Sequence, residues 1–255
     1  MKNERYAVFL DIDNTLMSGG AVPAENIEAI KKVREKGSYV FINTARSYGF
    51  IPENLLADGF LDGYVAGIGT DLRLGGKQIF SRIMTTQELK FMAELFLPGE
   101  REIAFEGEDC VIWIRPEKRR SEVIYILNSP DEFETVYKDF RISKMYVRGQ
   151  LTEKECEILS RDCIVYQHKE YAEFVAKGFG KAAGMKMMTE HLGIPPKNCI
   201  AMGDSANDTD MLLAAGISVA MGNSIPEIKE ICDYVSCDAK DGGVAEALKK
   251  YILNQ

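Results

Sequence analysis

Two short apolar runs lie far apart in the chain, each running into a cluster of aspartates, and they constrain the fold more than any other feature. The first, residues 6–10 (YAVFL), is followed by DIDNTLMSGG; the second, residues 199–202, is followed by GDSANDTD. A short continuous apolar run with β-favouring residues predicts a strand buried on both faces. After the first run, residues 23–36 place Ile27, Ile30 and Val33 on one helical face, with Pro23 near the start and Gly37 just past the end. Residues 38–43 (SYVFIN) predict a second buried strand ending at Thr44, and residues 51–56 a further helix or turn. A third strand is expected at 63–66 and a hairpin about Gly75-Gly76. The C-terminal part repeats this style, with a helix at 180–192, a strand at 199–202, a helix at 208–214 and a strand at 218–221. Alternation of buried strands and helices predicts an α/β class, a doubly wound, Rossmann-like parallel sheet with helices on both faces.

Between these parts the texture changes. Helices are expected at 86–97, after Pro130 and at 152–161, and strands at 110–115, 144–147, 164–167 and 172–175, an order that fits an α+β unit on a mostly antiparallel sheet. The expected organisation is a core domain of residues 1–81 and 178–255, interrupted by an inserted domain of residues 82–177.

Composition narrows the chemistry. The chain has 255 residues, with 31 Lys+Arg against 39 Asp+Glu, a formal net charge of −8. That balance argues against a nucleic-acid partner, whose binding depends on clustered cations. Only His168 and His191 are present, so a three-histidine metal site is excluded and acid–base work falls on carboxylates, lysines or hydroxyls. Six cysteines without a CxxC pair read as reduced thiols in a cytoplasmic protein. No run approaches a membrane span, so no membrane partner is expected.

Asp11 and Asp13 fall where the first strand ends, the edge at which open α/β sheets place ligands. Two carboxylates there repel each other unless a cation or a shared proton compensates; the alternative reading is an Asp-rich turn with Asn14 and Thr15 as caps. Asp204, after a separate strand, can meet them across the sheet and complete a set of hard oxygen ligands suited to Mg²⁺. The competing reading there is an Asp N-cap. Thr44 can hold a phosphate oxygen with the backbone N–H groups that follow it. Arg46 faces the same opening or is simply solvated. Lys181 at a helix start opposes the macrodipole, so it needs an anionic partner unless it is solvated. In the middle region Trp113, Arg115, Arg148 and His168 are candidate ligand contacts; Trp113, in CVIWI, reads better as core, and the charged segment 115–122 as a solvated loop.

The set Asp11-x-Asp13-x-Thr15, Thr44, Lys181 and Gly203-Asp204-x-x-Asn207-Asp208 resembles the haloacid dehalogenase-like (HAD) superfamily, and the tail GNSIPEIKEICDYVSCDAKDGGVAEAL resembles its Cof-type phosphatase branch, which carries a large α/β (C2-type) cap. Gly67-Ile68-Gly69-Thr70 departs from the Asn-Gly pair of many relatives. The resemblance implies a Mg²⁺-dependent phosphatase acting on a small phosphorylated metabolite, a sugar phosphate or similar monoester. Asp11 would be the nucleophile and Asp13 the acid and base. Asp11, Asp13 (through its carbonyl) and Asp204 would be metal ligands. Thr44, Arg46, Lys181 and Asn207 would bind substrate, with Asn207 and Asp208 orienting Lys181 or metal-bound water. Residues 82–177 would form the cap, hinged near 81–82 and 177–178. A phosphotransferase or phosphomutase of the same fold stays open, as does a phosphoacceptor signalling domain. Oligomeric state is not legible.

Overall fold

The computed structural model describes residues 4–57, 59–116 and 125–254. The first five strands are β1 (Ala7–Leu10), β2 (Tyr39–Asn43), β3 (Gly63–Ala66), β4 (Asp71–Leu74) and β5 (Lys77–Ser81). The middle of the chain contributes β6 (Ile103–Gly107), β7 (Val111–Ile114), β8 (Tyr125–Ile126), β9 (Ile142–Arg148), β10 (Cys163–Gln167) and β11 (Tyr171–Ala176), and the last part β12 (Cys199–Gly203), β13 (Ile217–Ala220) and β14 (Tyr234–Val235). One eight-stranded sheet has the order β14-β13-β12-β1-β2-β3-β4-β5. Its first six strands run parallel, and β4 and β5 form an antiparallel hairpin edge.

This is the α/β, Rossmann-like architecture read from the alternation of apolar runs, and the residues explain it. Along β1, Val8 and Leu10 pack with Ile30 and Val33 of the helix Ala24–Glu35 on one face. Ala7 and Phe9 pack with Met185 and Met188 of the helix Lys181–Leu192 on the other. A strand covered on both sides has no polar alternation to show, which is why it reads as an unbroken apolar run.

A second sheet, order β10-β11-β9-β6-β7-β8, is antiparallel apart from the β7–β8 pair. Its apolar core, built on Phe96, Phe105, Phe133 and Phe174, lies entirely within residues 89–174. Helices Thr86–Phe96 and Glu153–Leu159 each begin with a Thr/Glu capping box, at Thr85/Glu88 and Thr152/Glu155. Trp113 does not join that core: the period-two alternation turns Ile112 and Ile114 inward and leaves Trp113 half-buried on the opposite face. Most of the charged segment 115–122 lies outside the described residues.

The turn Gly67-Ile68-Gly69-Thr70 packs against the start of the helix that carries Lys181. Gly69 has φ +81°, and a Cβ there would lie 2.2 Å from the Gly180 carbonyl oxygen. Gly69→Ala therefore combines a left-handed conformation with a backbone clash, and it is expected to cost about 3 kcal/mol. Thermal unfolding checks this: a melting point within a degree of the parent would show that the contact does not constrain the turn.

Candidate active site

β1 and β12 are neighbours, and the chain leaves them in opposite directions across the sheet, so their C-terminal ends frame the switch-point crevice. Asp11 follows β1, Thr44 follows β2 and Asp204 follows β12. Adjacent parallel strands thus deliver all three to one rim.

Lys181 is the centre of the arrangement. Its ammonium is buried and donates to Asp11 Oδ1 at 2.7 Å and Asp208 Oδ1 at 2.6 Å. The Asn43 side-chain amide donates to the Lys181 carbonyl at 3.0 Å, and Asp210 Oδ2 accepts from the Ala182 N–H at 3.1 Å, so the first turn of the helix is fixed from two sides. Burial works against the Lys181 charge, but Asp11 and Asp208 outweigh it and raise the ammonium's pKa above its ordinary value.

Asp11, Asp204 and Asp208 each place a carboxylate oxygen within 4.8 Å of the others. Three carboxylates against one ammonium leave 1 − 3 = −2 when all are ionised. Burial, reinforced by Asp208, raises Asp204 to about 6. Burial also raises Asp11, with Lys181 opposing and Asp208 and Asp204 adding to the shift. The oxygens are not equally committed. Asp208 gives Oδ1 to Lys181 and takes the Asp204 and Ser205 N–H groups on Oδ2 at 3.0 and 3.1 Å. Asp204 Oδ1 accepts from the Thr15 hydroxyl at 3.1 Å. Among the described residues, Asp11 Oδ2 and Asp204 Oδ2 accept no hydrogen bond, so the pair presents two oxygens to a cation while Asp208 is occupied in support.

Asp13 is placed differently. Its exposed carboxylate stands outside the three-carboxylate group and takes both arms of the Arg46 guanidinium, at 2.9 Å each. Thr44 is buried, and its hydroxyl accepts the Arg46 N–H at 3.2 Å. In the short helical turn after Asp204, Asp208 turns inward to Lys181, while Asn207 Oδ1 accepts from the Ser205 hydroxyl at 2.8 Å.

These groups floor a cavity of about 470 Å³ lined by Asp11, Asp13, Thr44, Arg46, Asp204 and Asn207. Its roof comes from the second sheet, with Glu106, Lys144, His168, Tyr171 and Glu173. His168 is thus the one of the four middle-region candidates that lines it; Trp113, Arg115 and Arg148 do not. Another cavity of about 530 Å³, beside the helix Thr86–Phe96, is lined by none of the residues proposed for the site.

A profile of haloacid dehalogenase-like hydrolases matches residues 8–248. The chain belongs to the haloacid dehalogenase-like hydrolase family. Among full-length relatives of this HAD chain, the 5-amino-6-(5-phospho-D-ribitylamino)uracil phosphatase YcsE of Bacillus subtilis is 28% identical, over 96% of this chain and 95% of that protein. The putative phosphatase YkrA of the same organism is 24% identical, over 95% and 96%. The structure of the HAD subclass IIB sugar phosphatase BT4131 superposes with a TM-score of 0.82 at 27% identity, covering 96% of this chain and 98% of that one. This HAD protein is accordingly a phosphatase, a phosphoric monoester hydrolase. Among the described residues no helix is long and apolar enough to cross a membrane.

Sequence reasoning passed over three roof residues, Glu106, Lys144 and Glu173. Each is a charged residue among apolar ones within a strand, in IAFEG, ISKMYVR and YAEFVA. A charge at an inward or half-buried strand position needs a partner, and that was the available signal.

Proposed function

We propose that this protein is a Mg²⁺-dependent phosphatase that hydrolyses a small phosphorylated metabolite, a sugar phosphate or similar monoester, through an aspartyl-phosphate on Asp11. The observation that carries this reading is Lys181 locked between Asp11 and Asp208 beside Asp204, at the switch point of the sheet and beneath a polar cavity roofed by the second sheet. The named activities of the relatives, on a ribityl phosphate and on sugar phosphates, point to the same substrate class.

The cluster's net charge of −2 and its two uncommitted carboxylate oxygens suit a hard divalent cation. Asp11 and Asp204 would hold Mg²⁺ through their side chains and Asp13 through its carbonyl, and the bound ion would supply charge neutralisation at the phosphoryl oxygens. Asp11 attacks phosphorus, the bond to the leaving oxygen breaks, and Asp13 gives that oxygen its proton. Asp13 then takes a proton from water, which attacks the aspartyl-phosphate and frees inorganic phosphate and Asp11. Thr44 and Lys181 hold phosphoryl oxygens, with Arg46 and Asn207 at the rim. Residues 82–177 would act as the cap over this site, hinged where Phe80 and Phe179 stack at 5.8 Å between the two connecting segments.

The test is release of inorganic phosphate from p-nitrophenyl phosphate, which should require Mg²⁺ and stop on chelation; metal-independent release would sink the reading. Transfer to an added sugar hydroxyl in place of water would identify a phosphotransferase instead.

Metal and protons compete here. Asp204 titrates at about 6 in the folded, metal-free protein, above its ordinary 3.8. Its contribution to stability is therefore present at low pH and is lost as pH rises through 6. Mg²⁺ binds the deprotonated form, so the rise in melting temperature at saturating Mg²⁺ is expected to be larger at about pH 8 than at about pH 5. Differential scanning fluorimetry reads this directly; equal shifts at both pH values would remove Asp204 from the metal site.

A further inference from the structure

The roof of the cavity has a charge and donor pattern of its own. Glu106 and Lys144 face each other across β6 and β9. Lys144 is buried and spends its three N–H donors on the Ala45 carbonyl at 2.9 Å, Glu106 Oε2 at 3.2 Å and Glu173 Oε1. The Ser47 hydroxyl also donates to Glu106 Oε2, at 3.2 Å. The one ammonium in the roof is thus saturated, and it is outnumbered by two carboxylates. Burial pushes the Glu173 carboxyl upward, but the charge and hydrogen bond of Lys144, with His168 close by, outweigh this and hold it at about 2, so it stays ionised. Glu106 Oε1 accepts no hydrogen bond among the described residues, and Glu173 Oε2 stands 3.6 Å from His168 Nε2, beyond hydrogen-bond reach. His168 Nε2 has no hydrogen-bond partner, while its ring stacks on Tyr171 at 4.2 Å. The remaining cation at the cavity, Arg46, is engaged on Asp13.

A leaving group lifted toward this roof therefore meets carboxylate acceptors and no free ammonium. A hydroxyl can donate to Glu106 Oε1 or Glu173 Oε2. A carboxylate or second phosphate brings only acceptors and a like charge into a partly dehydrated space. We propose that Glu106, Lys144 and Glu173 select monophosphate esters whose leaving group is uncharged and bears hydroxyls, and reject those carrying a second anionic group. This rests on the phosphatase reading of the floor and names the substrate class for it.

Matched pairs test it on the intact enzyme with Mg²⁺: glycerol 3-phosphate against 3-phosphoglycerate, and glucose 6-phosphate against 6-phosphogluconate, with p-nitrophenyl phosphate alongside. The kcat/KM ratio within each pair is expected to favour the uncharged member at least about tenfold. Glu173→Gln removes one charge and adds an amide donor, so it should narrow that ratio at least about threefold, whatever happens to the absolute rate. Should that variant not fold, Glu106→Gln is read in the same way. A parent ratio at or below one overturns the proposal, as does an unchanged ratio in a folded variant. Turnover of the aryl phosphate with the wrong ratio sinks this inference alone. A protein that hydrolyses none of the phosphates sinks the proposed function and this inference together.

Discussion

Asp11→Asn should lower Mg²⁺-dependent release of phosphate from p-nitrophenyl phosphate by at least about 10⁴-fold, with the fold retained. Asp11 is the carboxylate with one oxygen fixed by Lys181 and the other uncommitted at the cavity floor. An amide of the same shape keeps the packing but has no lone pair able to form an acyl phosphate and persist as a leaving group. The substitution also takes a negative charge out of a cluster that burial already penalises, so the melting temperature is expected to stay level or rise. Beryllofluoride, which mimics a phosphoryl group on a carboxylate, should bind the parent and not the variant. Turnover within about tenfold of the parent would remove Asp11 from the nucleophile's role.

Lys181→Met should damage both activity and stability. The side chain is of similar length, so the loss is mainly electrostatic. Without the ammonium, the buried Asp11 and Asp208 carboxylates face each other with no counter-charge, and breaking such a pair typically costs about 3–5 kcal/mol. The pH dependence gives the signature. Removing Lys181 takes away the charge that opposes burial at Asp11 and so raises that carboxyl further; the variant's deficit should be small at about pH 5, where Asp11 is protonated, and grow as pH rises toward 8. Activity should fall at least about 10³-fold, since the phosphoryl oxygens lose a preorganised cation. A deficit that is the same at both pH values would mean that Lys181 acts through packing alone.

The helix partners of the sheet were readable for a simple reason. Residues such as Val8, Phe9, Phe41 and Ile42 are covered on both faces, and the apolar run records that burial in one dimension. Ile30 and Val33 record a helix face in the same way. Strands that escaped reading are those whose character comes from neighbours. β6 mixes Glu106 into an apolar run, and β8 and β14 are two residues each, too short to show a period. Helices Pro226–Ile231 and Gly243–Leu248 lie in a tail whose family likeness was plain but whose periodicity is brief.

The floor of the site differs from its roof in the same respect. Asp11, Asp204 and Thr44 follow strands, and the rule that parallel strands open their ligand edge at the carboxyl end puts such residues together before any coordinates exist. Thr15 on Asp204, Asn43 on the Lys181 carbonyl and Asp210 on the start of that helix needed the coordinates, because short polar side chains in loops have many partners within reach. The roof required them entirely. Glu106, Lys144 and Glu173 come from three strands, and a register slip of one residue would turn each to the opposite face.

The sequence by itself determined the doubly wound sheet and the clustering of aspartates at its switch point, since hydrophobic periodicity and strand-end position are local properties of the chain. Only the tertiary structure decided which carboxylates are already committed, that Lys181 rather than solvent holds Asp11, that Arg46 holds Asp13, and that a saturated lysine roofs the cavity. Those are matters of charge and hydrogen-bond pairing between residues as far as 189 positions apart, set by strand register and burial.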